Sequence, residues 1–224
     1  MKALMNYGIS NNKEIADGIF ITHAHIGHYT GLMYLGKEAA DTRGINVYAM
    51  PRMKEFIETN GPWSQLVSHK NIAIKQIDNE QPISLSENLS VTPLLVPHRD
   101  EYAETVGYII KGPNKSALFI PDIGKWEKWE KNIIEEVKKV DYAFLDATFY
   151  SGDEIDTRDI SQIPHPFIVE SLEKFNGLDS QEKNKIIFIH FNHTNPVINP
   201  ASDETKNVLS RGYRIARIND IFEL

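Results

Sequence analysis

The run His23-Ala24-His25-Ile26-Gly27-His28 places three imidazoles within six residues. A neutral imidazole offers a nitrogen lone pair, the donor that borderline divalent metals such as Zn²⁺ prefer. Side chains two apart on an extended backbone point the same way, so His23 and His25 can address one ion, and a turn directly after them can aim His28 at a neighbouring point. A single histidine is ordinarily structural or solvated; three at this spacing read as a metal-binding motif. The chain holds eight His and no Cys. Thiolate zinc knuckles, iron–sulfur clusters, disulfides and thiol nucleophiles are thereby excluded, and a bound metal must draw on His, Asp or Glu.

Such a cluster needs a frame. Gly18-Ile19-Phe20-Ile21-Thr22, immediately before it, reads as a buried strand. Gly31 to Ala40, immediately after it, has apolar positions three and four apart and predicts a helix. The histidines therefore sit at a strand-to-helix junction. Further strands are predicted at Asn46–Ala49, Asn71–Ile77, Leu89–Val96, Val106–Ile110, Ala117–Ile120, Tyr142–Leu145, Ile186–Ile189 and Tyr213–Ala216. Helices are predicted at Arg52–Thr59, Glu127–Val140, Phe167–Phe175 and Ser202–Ser210. Gly112-Pro113-Asn114 reads as a hairpin turn, so the strands on either side of it should be antiparallel. Ser151 to Pro166 has little periodicity and is either an ordered loop near a site or a mobile surface segment.

At 224 residues the chain can bury one self-sufficient core, so a single domain over 1–224 is expected. The formal net charge of −7 argues against a protein that covers nucleic-acid phosphates by bulk charge. No apolar run approaches the ~20 residues that a membrane span requires, and Met1 to Tyr7 lacks the apolar stretch of a signal peptide, so the expected address is the cytoplasm. Neither a Gly-x-Ser-x-Gly elbow nor a phosphate-binding glycine pattern is present, which leaves serine-nucleophile chemistry without support.

Thr22 to Gly31 resembles the His-x-His-x-Asp-His-x-x-Gly signature of the metallo-β-lactamase superfamily, with Gly27 standing where the family has Asp. Val96-Pro97-His98 is similar to the family's next ligand His, Phe119-Ile120-Pro121-Asp122 to its bridging Asp, and Ile187-Phe188-Ile189-His190 to its last strand-terminal His. The likeness runs from about Asp17 to Pro200. Within the superfamily the chain is similar to the pyrroloquinoline-quinone biosynthesis protein B branch. The run His190-Phe191-Asn192-His193-Thr194-Asn195-Pro196 carries that likeness, with His193 in place of an Asn, as do Asp146-Ala147-Thr148-Phe149 and Ile163-Pro164-His165-Pro166.

The resemblance implies an α+β fold, a four-layer αββα sandwich with metal at one rim. Only 22 residues precede His23, where the family has two or three strands. An N-terminally truncated version is therefore expected, with an exposed sheet edge through which a homodimer could form. The resemblance also implies that one ion takes His23, His25 and His98, while Asp122 bridges to a second held by His28 and His190. Gly27 withdraws a carboxylate from that second position, for which Asp100 or His193 could substitute. One or two Zn²⁺ ions are expected, and Fe²⁺ or Mn²⁺ suits the same donors. The implied activity is metal-dependent hydrolysis of an ester, amide, thioester or phosphodiester bond in a small-molecule substrate. Asp122 would orient the attacking water, and His165 or His193 would donate to the oxyanion or leaving group. Two other readings stand beside it: an iron-dependent oxidoreductase, and a catalytically silent remnant. Asp146 is a rival to Asp122 or, alternatively, a structural acceptor for Thr148.

Overall fold

In the computed structural model, which describes residues 16–154 and 163–224, the chain divides into two units, each with its own sheet. The first takes the described residues up to Gln81 together with Asp100–Thr105. Its sheet has the order β1 (Gly18–Phe20), β2 (Ile45–Ala49), β3 (Ile72–Gln76), and both pairings are parallel. Parallel neighbours require crossovers. The first is α1 (Ile26–Tyr29) running into a 3₁₀ segment, Thr30–Leu35; the second is α2 (Pro51–Thr59) and α3 (Trp63–Ser68). Along β2 the side chains alternate between buried and half-buried, and Val47 and Ala49 meet Leu32, Leu35, Met53, Ile57 and Leu66 in one apolar cluster. Pro51 opens α2, where a missing N–H costs nothing. The next two amides, Arg52 N at 3.1 Å and Met53 N at 3.3 Å, donate to the Glu104 carboxylate, which ties residues 100–105 into this unit.

The second unit comprises Pro82–Arg99 and Val106–Leu224. Its strands are β4 (Ile83–Ser86), β5 (Leu89–Leu95), β6 (Val106–Lys111), β7 (Ser116–Ile120), β8 (Tyr142–Asp146), β9 (Ile186–Ile189) and β10 (Arg214–Ile215), hydrogen-bonded in sequence order from one edge of the sheet to the other. Pairings from β4 to β7 are antiparallel and from β7 to β10 parallel. Crossover helices are α4 (Ile133–Lys138), α5 (Ile168–Lys174), α6 (Ser180–Lys185) and α7 (Asp203–Ser210). Leu118, Ile120, Leu145 and Phe188 of the sheet share a core with Ile133, Ile168, Phe175 and Val208. Strand direction then decides where chemistry can happen. β5 and β7 are each antiparallel to β6, and β8 and β9 follow β7, so the carboxyl ends of β5, β7, β8 and β9 all lie at one edge.

Several elements differ from the sequence expectation. The helix expected over Gly31–Ala40 starts earlier, inside the histidine motif, and gives way to 3₁₀ and turns where Gly31 and Gly36 weaken it. The helix expected over Glu127–Val140 is split into a 3₁₀ turn, Trp126–Lys128, and α4. Asn132 caps α4 by accepting from Ile134 N at 3.0 Å, and the Trp129 indole is held outside it by Leu95 O at 2.8 Å. The expected hairpin at Gly112 is present, closed by Gly112 N donating to Lys115 O at 2.9 Å. β4, α3 and α6 were not foreseen; α6 buries no residue, so no apolar period marks it. Of the expected loop Ser151–Pro166, residues 155–162 lie outside the described residues, as do residues 1–15, the segment on which the expectation of missing leading strands bears. No helix among the described residues is long and apolar enough to cross a membrane.

Candidate functional site

In the first unit the chain leaves β1 still extended, with Ile21 N donating to Tyr48 O at 3.1 Å, and His25 caps α1 with extended backbone. This carries His23 and His25 on one side of the strand end and His28 on the first helical turn. His23 Nε2 lies 3.0 Å from His25 Nδ1, and the His23 and His28 ring centroids are 4.2 Å apart. The outer nitrogens have other neighbours: Thr22 Oγ1 lies 3.1 Å from His23 Nδ1, and Glu101 Oε2 lies 3.3 Å from His25 Nε2. Two nitrogens ligating one tetrahedral Zn²⁺ at ~2.05 Å would be about 3.3 Å apart. The inner pair is thus close to the spacing of co-ligands, a spacing that a shared proton also satisfies.

In the second unit the donors stand just past the strand ends: His98 after β5, Asp122 after β7, Asp146 closing β8 and His190 after β9. Asp122 is central. Its Oδ1 lies 3.7 Å from His98 Nε2 and its Oδ2 lies 3.6 Å from His190 Nε2. Both separations exceed hydrogen-bond length and approach the edge of a ligand tetrahedron. The His98 and Asp122 side chains are only 1% and 4% exposed, and burying a carboxylate is costly unless positive charge or donors meet it. Two backbone features set this geometry. At Gly124 a Cβ would stand 3.0 Å from Pro97 O, tighter than an ordinary contact, so glycine eases the close approach of the segment after Asp122 to Pro97-His98. His190 adopts φ 65°, a left-handed conformation that costs of order 1–3 kcal/mol and turns the chain sharply off β9.

Asp146 plays a different part. Its four acceptor positions are filled by Thr148 N at 2.9 Å, Thr148 Oγ1 at 2.7 Å, Ile123 N at 3.1 Å and His165 Nδ1 at 2.8 Å. It is fully buried and orients its neighbours, which is the structural role weighed for it from the sequence. His165 Nδ1 also lies 3.1 Å from Asp122 Oδ1. Burial works against charge on that ring, but the hydrogen bond and charge of Asp146, joined by the charge of Asp122, outweigh it and hold the His165 pKa above its ordinary value.

The remaining candidates separate clearly. His193 is exposed, and its ring nitrogen lies 3.1 Å from Oδ1 of the adjacent Asn192. Asp100 belongs to the first unit, where its carboxylate accepts from Arg52 at 3.2 Å. Two residues that sequence reasoning passed over prove to be built into the second unit's donor edge. Thr148 Oγ1 contacts Asp146, His190 and His165, and the buried Asn195 donates to Ala147 O at 2.8 Å and Thr148 O at 3.2 Å. Their only sequence signal is their place in the Asp-Ala-Thr and Thr-Asn-Pro runs.

Imidazoles and carboxylates at strand ends, without thiolates, form a donor set suited to a divalent ion. Residues 9–191 match the sequence profile described as the beta-lactamase superfamily domain, and the chain belongs to that superfamily, with the metallo-β-lactamase fold that its motifs led one to expect. Within it the chain is similar to PqqB proteins. Coenzyme PQQ synthesis protein B of Acinetobacter baumannii strain ACICU is 23% identical over 236 residues, covering 96% of this chain and 73% of that protein. The structure of Zn²⁺-bound PqqB from Methylobacterium extorquens is similar with a TM-score of 0.74 at 20% identity, covering 92% of this chain and 70% of that one. A diphosphatase of the PhnP family is similar with a TM-score of 0.57 at 18% identity, covering 95% and 72%.

Proposed function

We propose that this chain is a metal-dependent hydrolase of small-molecule substrates. In this reading the His23, His25 and His28 cluster of the first unit and the strand-end donors His98, Asp122 and His190 of the second would each offer ligands to a divalent ion, preferably Zn²⁺. The observation that carries it is the two-sided environment of Asp122, each of whose oxygens faces a different imidazole at 3.6–3.7 Å. That is the disposition expected of a bridging carboxylate. The zinc-bound PqqB structure and the diphosphatase among its structural neighbours support the reading by analogy of fold.

A divalent cation, when bound, would supply Lewis acidity, lowering the pKa of its water to about 7 and polarising the bond under attack. The protein's own groups do the rest. Asp122 would orient the nucleophilic water by accepting its proton in a hydrogen bond. His165, whose proton affinity Asp146 and Asp122 raise against the cost of burial, would donate a proton from Nε2 to the leaving group. Asp146 holds His165 Nδ1–H at 2.8 Å and so fixes which nitrogen faces the substrate.

The test combines metal analysis with a substrate panel. The full chain, loaded with Zn²⁺, Mn²⁺ or Fe²⁺ and then desalted, should retain at least about one equivalent. It should also hydrolyse at least one of a nitrophenyl ester, a thioester and bis(nitrophenyl) phosphate, with activity lost on chelation. Retention below about a tenth of an equivalent under every loading condition would overturn the proposal.

A further inference from the structure

Thr148 is the point where His165 and His190 meet, and its hydroxyl has one proton to give. Oγ1 lies 2.7 Å from Asp146 Oδ1, 2.9 Å from His190 Nδ1 and 3.2 Å from His165 Nδ1. A carboxylate whose other acceptor positions already receive two amides and an imidazole can only accept, so the 2.7 Å contact requires the hydroxyl proton to point at Asp146. Toward both rings the hydroxyl then has only lone pairs. His190 Nδ1 must therefore carry a proton, which in the neutral ring leaves the Nε2 lone pair on the side of Asp122 Oδ2, 3.6 Å away.

We propose that Thr148 is a positioning residue that locks His190 in its Nδ1–H tautomer, presenting Nε2 for a divalent cation. Asp146 acts through it as an anchor, and Asn195, which pins the carbonyls of Ala147 and Thr148, holds the hydroxyl in place. The inference rests on the metal-dependent reading for its purpose, although the tautomer itself is a property of the metal-free chain. A ligating imidazole whose other nitrogen donates to a fixed acceptor has higher basicity and a set ring orientation, and loss of that partner typically weakens metal binding 10–100-fold.

The experiment has two arms, both on the full chain. Long-range ¹⁵N–¹H correlation spectra of the metal-free protein at mildly alkaline pH, with His190 signals assigned by their loss in His190→Gln, should show the Nδ1–H form. Thr148→Val should convert this to a tautomeric mixture, and Thr148→Ser should restore it. Zn²⁺ competition titrations should show the binding step that His190→Gln abolishes weakened ~10–100-fold in Thr148→Val and recovered to within about threefold in Thr148→Ser. A wild-type Nε2–H tautomer, or Thr148→Val titrating as wild type, overturns the inference. Should Thr148→Val fail to fold, the wild-type tautomer and the serine variant decide. A wild-type chain that binds no Zn²⁺ sinks the hydrolase reading instead, and the spectra then judge the tautomer lock on its own.

Discussion

The two units assemble their donors by opposite routes. In the first, His23, His25 and His28 are neighbours in the chain, and one strand end with one helical turn brings the His23 and His25 nitrogens to 3.0 Å. In the second, His98, Asp122, Asp146, His165 and His190 are spread through the chain and are gathered only because β5, β7, β8 and β9 end at the same edge. Covalent geometry does the work in the first case. In the second it is sheet direction, so the second set exists only as long as the whole seven-stranded sheet does. The supporting shell differs accordingly. His25 leans on Glu101, whose side chain is half exposed, whereas the second unit's donors are braced by a fully buried Asp146.

That contrast can be broken by experiment, and the largest effect is expected at Asp146. Asp146→Ala strips acceptors from two buried amides, a hydroxyl and an imidazole, and should cost about 3–5 kcal/mol in urea unfolding. Hydrogen exchange should rise in Ser116–Ile120 and Ile186–Ile189 and stay unchanged in Ile45–Ala49; equal loosening of all three would erase the distinction between the units. Next comes Gly27→Asp. A Cβ at Gly27 meets nothing within 4 Å, so a carboxylate is accommodated, and the weaker divalent-ion step in calorimetry should tighten ~10-fold. Unchanged affinity would mean that the local motif is already complete. A smaller loss, about 1 kcal/mol, is expected for Glu104→Ala, with faster amide exchange at Arg52 and Met53, because the first turn of α2 loses its acceptor.

The smallest effect belongs to the amino ends of the central strands β7 and β8, opposite the donors. Asp141 accepts from Ser116 N at 2.8 Å and Ser116 Oγ at 3.0 Å, and the Ser116 amide is the chief reason its pKa is lowered in the folded chain. A depressed carboxylate contributes stability above its unfolded pKa of about 3.9 and loses that contribution as pH falls through the folded value. Asp141→Asn should therefore unfold slightly below wild type at pH 7, with a Tm difference of no more than about 2 °C for so exposed a group. The difference should vanish in acid; a gap that widened there would contradict the assignment.

What could be read from the residues follows the same division. Alternating and continuous apolar runs marked β2, β5 and β7–β9 because buried strands leave a period-two or unbroken apolar trace. β4 and α6 escaped because they are short and largely exposed, so burial writes no pattern into them. His23, His25 and His28 were legible without any fold. His98, Asp122 and His190 became legible through likeness to a superfamily, since each alone is a residue at a strand end.

The sequence left Asp146 between two roles and did not disclose what Thr148 and Asn195 do for His190. A hydroxyl's single proton has no direction until every polar neighbour around it is placed, and here one of those neighbours lies 42 positions away in the chain. The chain's residue types determined that a metal, if held, meets no thiolate sulfur. Only the tertiary structure decided which oxygen of Asp122 faces which imidazole and which nitrogen of His190 carries the proton. Those facts depend on distances that strand direction and side-chain burial set, and linear order does not contain them.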